Sequence, residues 1–234
     1  MMWSGGKDSA SALYKLRRTG FSVDFLITTL FVDPNKHPHE PIVGGTSVPL
    51  SVMQLQAQSA GCTLIPIVFS NPFDFSMDYI IDALRGSLPE GVMYGSGGYG
   101  RGKQALEWHT ELWSKLNMTP LQPIDHYTNN GTVAAEDIIT ANIRAKIMSV
   151  NLEYLPIELH GVEYDRTFIQ TLSELDPLMS PVASRNEFQT FCYDSPDFAF
   201  PINWTSDGRF TRRTEYTSDY LNFEHSYFKN IRAI

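Results

Sequence analysis

Ser4-Gly5-Gly6-Lys7-Asp8-Ser9 is the stretch of this 234-residue chain with the densest potential for chemistry. Adjacent glycines let the backbone turn tightly and approach a ligand without side-chain hindrance. A helical pattern follows, so the amides after the turn face out of a helix N-terminus, where the macrodipole favours an anion. Ser4 and Ser9 add hydroxyl donors, and Lys7 adds a mobile positive charge. Asp8 is placed either to orient Lys7 or a metal-bound water, or to cap its own helix. Together these residues read as a cradle for a phosphate chain. They do not form a Walker A loop, which needs a Gly five residues before its Gly-Lys pair and Ser or Thr after the Lys. Met1 and Asp8 stand in those places.

Other stretches compete for chemistry. Gly95-Ser96-Gly97-Gly98-Tyr99-Gly100 fits G-x-G-x-x-G between a strand and a helix, with Asp125 near the distance of a ribose-binding acid. That keeps a dinucleotide site open. Because the opening loop already supplies a phosphate site, the stretch reads better as a glycine-rich lid, with Arg101 and Lys103 able to swing toward phosphates. His37-Pro38-His39-Glu40 has a metal-like look, but in a Pro-rich segment after a strand it reads as a surface loop. No metal-ligand set is expected. Trp108, Leu112 and Trp113 read as a packing stripe.

These groups need a scaffold. Hydrophobic residues make up 42% of the chain, enough for a substantial core. A net charge of −8 argues against a broad nucleic-acid footprint. Cys62 and Cys192 suggest neither a disulfide framework nor a metal site. No apolar run approaches membrane length, so a cytoplasmic enzyme is the default expectation. Helices are expected over residues 11–19, 48–60, 74–84, 103–116, 134–150 and 165–175. Strands are expected over 23–32, 63–69, 91–94, 121–124, 154–159 and 188–192, with further strand-like sequence from 201 onward. Alternating strands and helices predict an α/β fold with a doubly wound parallel sheet over residues 1–126. A smaller α+β substrate-binding region follows over 127–234. Ligands in such sheets lie beyond the carboxyl ends of the strands, which gathers the first turn, Thr28 and Thr29, and Gly95 and Ser96 in one crevice. Thr28 and Thr29 either read adenine or simply pack the sheet.

The motif S-G-G-K-D-S resembles the PP-loop of the ATP pyrophosphatases. The order of features from Trp3 to about Pro201 resembles the diphthine–ammonia ligase branch of that family. The likeness rests on W-S-G-G-K-D-S-A at the front, the second strand LITTLF, and a helix over residues 106–116 leading into Pro120-Leu121-Gln122-Pro123. It extends to the stretch from Ala183 to Thr190 and the turn Tyr193-Asp194-Ser195-Pro196. In the family that stretch has the form G-E-N-G-E-F-H-T. Glu187, Phe188 and Thr190 match it, whereas Ala183, Ser184, Arg185, Asn186 and Gln189 depart. The family's Gly-Asp after the fourth strand is Gly95-Ser96 here.

The resemblance implies an ATP-dependent reaction forming AMP and pyrophosphate, with Mg²⁺ carried by ATP. A carboxylate, on elongation factor 2 in the family, is adenylated and then amidated by ammonia. Ser4, Gly5, Gly6, Lys7, Asp8, Ser9, Thr28, Thr29, Gly95 and Ser96 would bind the nucleotide. Lys7, Asp8 and Glu187 would act in catalysis, Glu187 by holding ammonia or taking its proton. Arg185, Asn186, Glu187, Thr190, Tyr193 and Asp194 would line the substrate side. The changed residues at 183–189 leave a different small-molecule or peptide carboxylate open as acceptor. A non-catalytic nucleotide sensor and a tRNA-modifying relative are further alternatives. No membrane partner is expected, and the chain could be monomeric or oligomeric.

Overall fold

The computed structural model describes residues 1–32, 40–70, 75–97, 102–124, 131–214 and 223–234, with backbone alone at 102–104, 212–214 and 223. Helix α1, Lys7–Arg18, buries Ala12, Leu13 and Leu16 and ends in Lys15, Arg17 and Arg18, the charge its C-terminus favours. Strand β1, Phe25–Phe31, follows and lies parallel to β2, Thr63–Phe69, after helix α2, Leu50–Ser59. Helix α3, Met77–Ser87, starts at Ser76, whose hydroxyl accepts from the Tyr79 amide. Strand β3, Tyr94–Ser96, and strand β4, Thr119–Leu121, form a second parallel pair around helix α4, Gly102–Lys115.

The chain is therefore mixed α/β, but its regular ladders here are two parallel pairs rather than the continuous doubly wound sheet expected. Residues 1–3 run between the pairs. Met2 bridges Ile27 in parallel, the Trp3 amide donates to the Ile27 carbonyl at 2.7 Å, and the Met2 amide donates to the Ser96 carbonyl at 2.7 Å. Three residues, with three backbone bonds to β1 and one to β3, are too short to make a regular strand.

The second half begins with helix α5, Thr132–Thr140, then strand β5, Arg144–Asn151. The single helix expected over 134–150 is thus wrong beyond residue 140. Asn142 takes a left-handed φ of +57°, which ends the helix and turns the chain into the sheet. Glu136, Asp137, Arg144 and Lys146 accordingly do not bracket one helix dipole. A 3₁₀ turn, Ile157–Leu159, replaces the strand expected at 154–159. Helix α6, Arg166–Leu175, is capped by Asp165, which accepts from the Phe168 amide at 2.9 Å. Strand β6, Phe188–Asp194, is followed by β7, Trp204–Thr205, β8, Arg209–Thr214, β9, Phe223–Phe228, and β10, Arg232–Ala233. Four of these strands form an antiparallel sheet in the order β6-β5-β9-β8.

One apolar core joins both expected regions, running from Trp3 and Leu13 through Met53 to Ile147, Phe188, Phe191 and Ile231. A second cluster fills the space between the β1–β2 pair and α3 and α4, with Ile27, Ile65, Ile80, Leu84, Leu112 and Trp113. Each such fully buried side chain contributes about 1.5–3 kcal/mol. Trp113 lies flat on Gly95, where a methyl group would meet the indole at 2.1 Å. The glycine is required by this packing.

Candidate functional site

The opening loop takes its shape from groups far along the chain. Gly5 adopts a left-handed φ of +75°, open to glycine at little cost. Its carbonyl accepts from the Cys192 amide at 2.8 Å and from Gln56 Nε2 at 2.9 Å. Gln56 Nε2 also donates to the Cys192 carbonyl, and Gln56 Oε1 accepts the Trp3 indole N–H at 2.9 Å. An indole only donates and a carbonyl only accepts, so these partners fix which end of the Gln56 amide faces which neighbour. A peptide's C=O and N–H point opposite ways. Clamping the Gly5 carbonyl inward therefore turns the Gly6 N–H outward, on the Ser4 side, 3.4 Å from the Ser4 hydroxyl. Ser4 and Ser9 hydroxyls meet at 2.9 Å, and the Ser4 amide donates to Ser9 Oγ. The Lys7 amide donates to Thr190 Oγ1 at 3.1 Å, so β6 touches the mouth of α1 directly.

Lys7 is only 2% exposed. Its ammonium pairs with Asp8 at 2.9 Å, donates to the Val182 carbonyl at 3.3 Å, and lies 5.2 Å and 5.4 Å from the Tyr164 and Phe188 ring centres. Burial, reinforced by the nearby Asp8 charge, holds the Tyr164 hydroxyl neutral well above its ordinary range.

A cavity of about 300 Å³ opens over the loop. Ser4, Lys7, Asp8, Ser9, Thr28 and Thr29 line it, together with Val182, Phe188, Gln189 and Thr190 and with His109 of α4. Thr28 is 1% exposed, and its hydroxyl has no hydrogen-bond partner among the described residues. Such an orphan facing a cavity suits a polar ligand. Burial lowers His109 to about 4, so the ring is neutral at pH 7. Gly97 seats that ring: a methyl group there would lie 2.7 Å from it.

The expected residues divide cleanly. The loop, Thr28, Thr29 and Thr190 come together around the cavity. Gly95 and Ser96 do not line it; they border a smaller space of about 70 Å³ beside Trp113 and Met1. Residues 98–101, with the proposed lid and Arg101, lie outside the described residues, as do His37, His39, Asp125 and the Lys103 side chain. Glu187 is fully buried and accepts the Arg185 amide at 2.9 Å and Arg185 Nε at 3.4 Å. Its carboxylate thus shapes the turn that includes Asn186, which has a φ of +68°. Neither Glu187 nor Arg185 lines the cavity. Asn186 reaches it at second hand, its Oδ1 accepting from Gln189 Nε2 at 2.5 Å. Tyr193 and Asp194 lie apart as well, in a half-exposed cluster where the Tyr193 hydroxyl donates to Glu163 and Arg144 sits over the Tyr193 ring.

The sequence reading missed Gln56, Tyr164, Val182 and His109. Only Gln56 left a signal: it is a large polar residue among Val52, Met53 and Ala57 on the buried face of α2.

The donor set fits a phosphate chain: helix amides, hydroxyls and one ammonium. Among the described residues no cluster of His, Cys, Asp and Glu could hold a resident metal ion. Asp8 is the carboxylate that borders the cavity, and it suits a magnesium ion arriving with phosphate oxygens. Among the described residues no helix is long and apolar enough to cross a membrane. No protein-family model and no curated protein matches this chain.

Proposed function

We propose that the chain is an ATP-dependent, AMP- and pyrophosphate-forming amide ligase of the PP-loop kind, similar to diphthine–ammonia ligase. One observation carries this reading. The Gly5–Gly6 turn is clamped from below so that the start of α1, Ser4, Ser9 and Lys7 face one cavity. Preorganised donors of this kind stabilise charge as it develops and need no rearrangement at the moment of reaction. The arrangement of β2, β1, residues 1–3, β3 and β4, all parallel where paired, supports a PP-loop sheet with its phosphate turn at the carboxyl ends.

In this reading a carboxylate oxygen of the acceptor attacks the α-phosphorus of ATP, and the bond to pyrophosphate breaks. The loop amides, Ser4, Ser9 and Lys7 hold the departing pyrophosphate. Magnesium carried by ATP would share its charge, with Asp8 as the carboxylate to hold it. Ammonia then attacks the acyl carbon, the carbon–oxygen bond to AMP breaks, and the surplus proton leaves to solvent. Asp8 pairs Lys7 while no nucleotide is bound, and would hold the magnesium arriving with the phosphates. Glu187 serves as a support for the substrate-side turn.

A second acceptor is favoured by one observation. The wall contributed by residues 183–190 is neutral, presenting the Gln189 amide braced by Asn186. That suits a small-molecule or peptide carboxylate as well as one on a protein such as elongation factor 2.

The test is pyrophosphate release from MgATP with ammonium and a panel of carboxylates. Lys7→Ala and Ser9→Ala are expected to lower it about tenfold or more, the loss of a charge-assisted or hydroxyl contact to phosphate. Release at the parental rate from both variants overturns the reading.

A further inference from the structure

We infer that Tyr164, Phe188, Asp8 and the Val182 carbonyl form a binding cage for ammonium, which the Lys7 ammonium occupies until a nucleotide draws it out. The inference rests on the proposed amide-ligase reading, and it names the place where ammonium waits before it gives one proton to solvent and attacks as ammonia.

The chemistry of the cage is that of a small cation carrying N–H donors. Lys7 Nζ donates to both Asp8 oxygens, at 3.1 and 2.9 Å, and to the Val182 carbonyl at 3.3 Å. It also lies within cation–π reach of the Tyr164 and Phe188 rings, at 5.2 and 5.4 Å. Oxygen acceptors and two π faces around one nitrogen satisfy an ammonium ion as well as they satisfy a lysine head.

The walls stand without Lys7. The Tyr164 hydroxyl donates to the Pro181 carbonyl at 2.8 Å, and Phe188 packs edge-on against Phe168 with centroids 5.0 Å apart. Tyr164 and Phe188 are each nearly inaccessible, at 2% and 1%. Phe188, Asp8 and Val182 border the main cavity, so an ion in the cage sits at its edge rather than in a separate chamber.

Lys7 cannot hold the cage and a phosphate at once. Its flexible stem lets the head move, and a phosphate chain offers a stronger partner than one carboxylate. Nucleotide binding thus opens the ammonium site, which makes the order of binding nucleotide first and ammonium second.

The experiment measures ¹⁵N-ammonium binding by NMR at constant ionic strength set with sodium chloride. Lys7→Met, without nucleotide, is expected to bind ammonium about tenfold more tightly than the wild type does. The wild type is expected to reach similar affinity only with magnesium and α,β-methylene-ATP. Adding Tyr164→Leu to Lys7→Met should weaken binding about fivefold, whereas Tyr164→Phe, which keeps the ring, should not. Equal binding by Lys7→Met and wild type, or equal displacement by sodium, overturns the cage. If the wild type binds the analogue but Lys7→Met gains no ammonium site, the cage fails and the nucleotide reading stands. If Lys7→Met gains the site but the wild type ignores the analogue, the cage stands and the nucleotide reading, with the binding order, falls. Should Lys7→Met not fold, the wild type with and without the analogue decides alone.

Discussion

Gln56 is the residue on which the loop's geometry turns, and Gln56→Leu tests it. In the wild type its amide accepts the Trp3 indole N–H and donates to the carbonyls of Gly5 and Cys192. Gln56 is fully buried and Trp3 is 2% exposed, so water does not replace what the substitution removes. The Trp3 donor is left unpaired, at about 1–3 kcal/mol, and the lost bonds to Gly5 and Cys192 add about 1 kcal/mol each. Leucine matches the volume, so little cavity term is expected. The sum is about 3–5 kcal/mol, a large share of the ~5–15 kcal/mol that holds a typical domain together. Gln56→Glu is the sharper variant. It keeps the shape and the acceptor for Trp3, but sets a carboxylate oxygen against two carbonyl oxygens until it is protonated. Urea denaturation, followed by tryptophan fluorescence and circular dichroism together, measures both. Gln56→Glu should recover stability relative to wild type as pH falls, because the neutral acid regains one donor. A loss below about 1 kcal/mol for Gln56→Leu would refute the claim that this clamp shapes the loop.

Further outcomes follow from burial and charge. His160 is buried, its Nε2 facing the Met148 carbonyl at 2.7 Å and its Nδ1 facing Ser226 Oγ at 3.0 Å. Burial lowers it from 6.5 to about 4, so the unfolded chain binds its proton first. Stability from this group is present above pH 6.5 and is lost as pH falls toward 4, by up to about 3 kcal/mol. Urea midpoints across that window should fall less steeply for His160→Gln than for wild type. Gly95→Ala drives a methyl group into Trp113 and should cost about 3 kcal/mol or more by urea melting. Gly86→Ala, within α3 and with open space around it, should instead stabilise by about 0.5–1 kcal/mol. Glu187→Gln should lower stability by about 1–3 kcal/mol by weakening the hold on Arg185, while leaving the ATP half-saturation unchanged. A shift in that half-saturation would show that Glu187 reaches the nucleotide.

The glycine turn and the helix after it were legible because local rules write them: paired glycines, flanking hydroxyls and a helical period just after. The strands β1 and β2 were legible for the same reason, being dense in β-branched and aromatic residues. The failure at residues 144–150 is instructive. Ile138 in the helix, Ile143 in the connection, and Ala145, Ile147 and Met148 in the strand are all buried, so the apolar run continues through the change from helix to strand. Periodicity cannot separate a buried strand from a buried helix there. Only Asn142, a residue tolerant of left-handed φ, marks the break. Of the residues expected on the substrate side, Thr190 borders the cavity, whereas Glu187, Tyr193 and Asp194 do not. Being near one another along β6 says nothing about which neighbours a side chain meets across the sheet. The cage around Lys7 was invisible because Tyr164, Val182 and Phe188 reach it from separate elements.

The contact between the Lys7 amide and Thr190 spans 183 residues. On a ribosome, the first few residues emerge long before the strand that shapes them has been made. Until β6 docks, the glycine turn has neither the Cys192 amide nor the Thr190 hydroxyl to set it. Closing so long a span early is entropically unfavourable, so the shape of this turn is among the last features to mature. A nascent chain halted short of β6 would carry the whole hexapeptide and yet lack the partners that give it its shape.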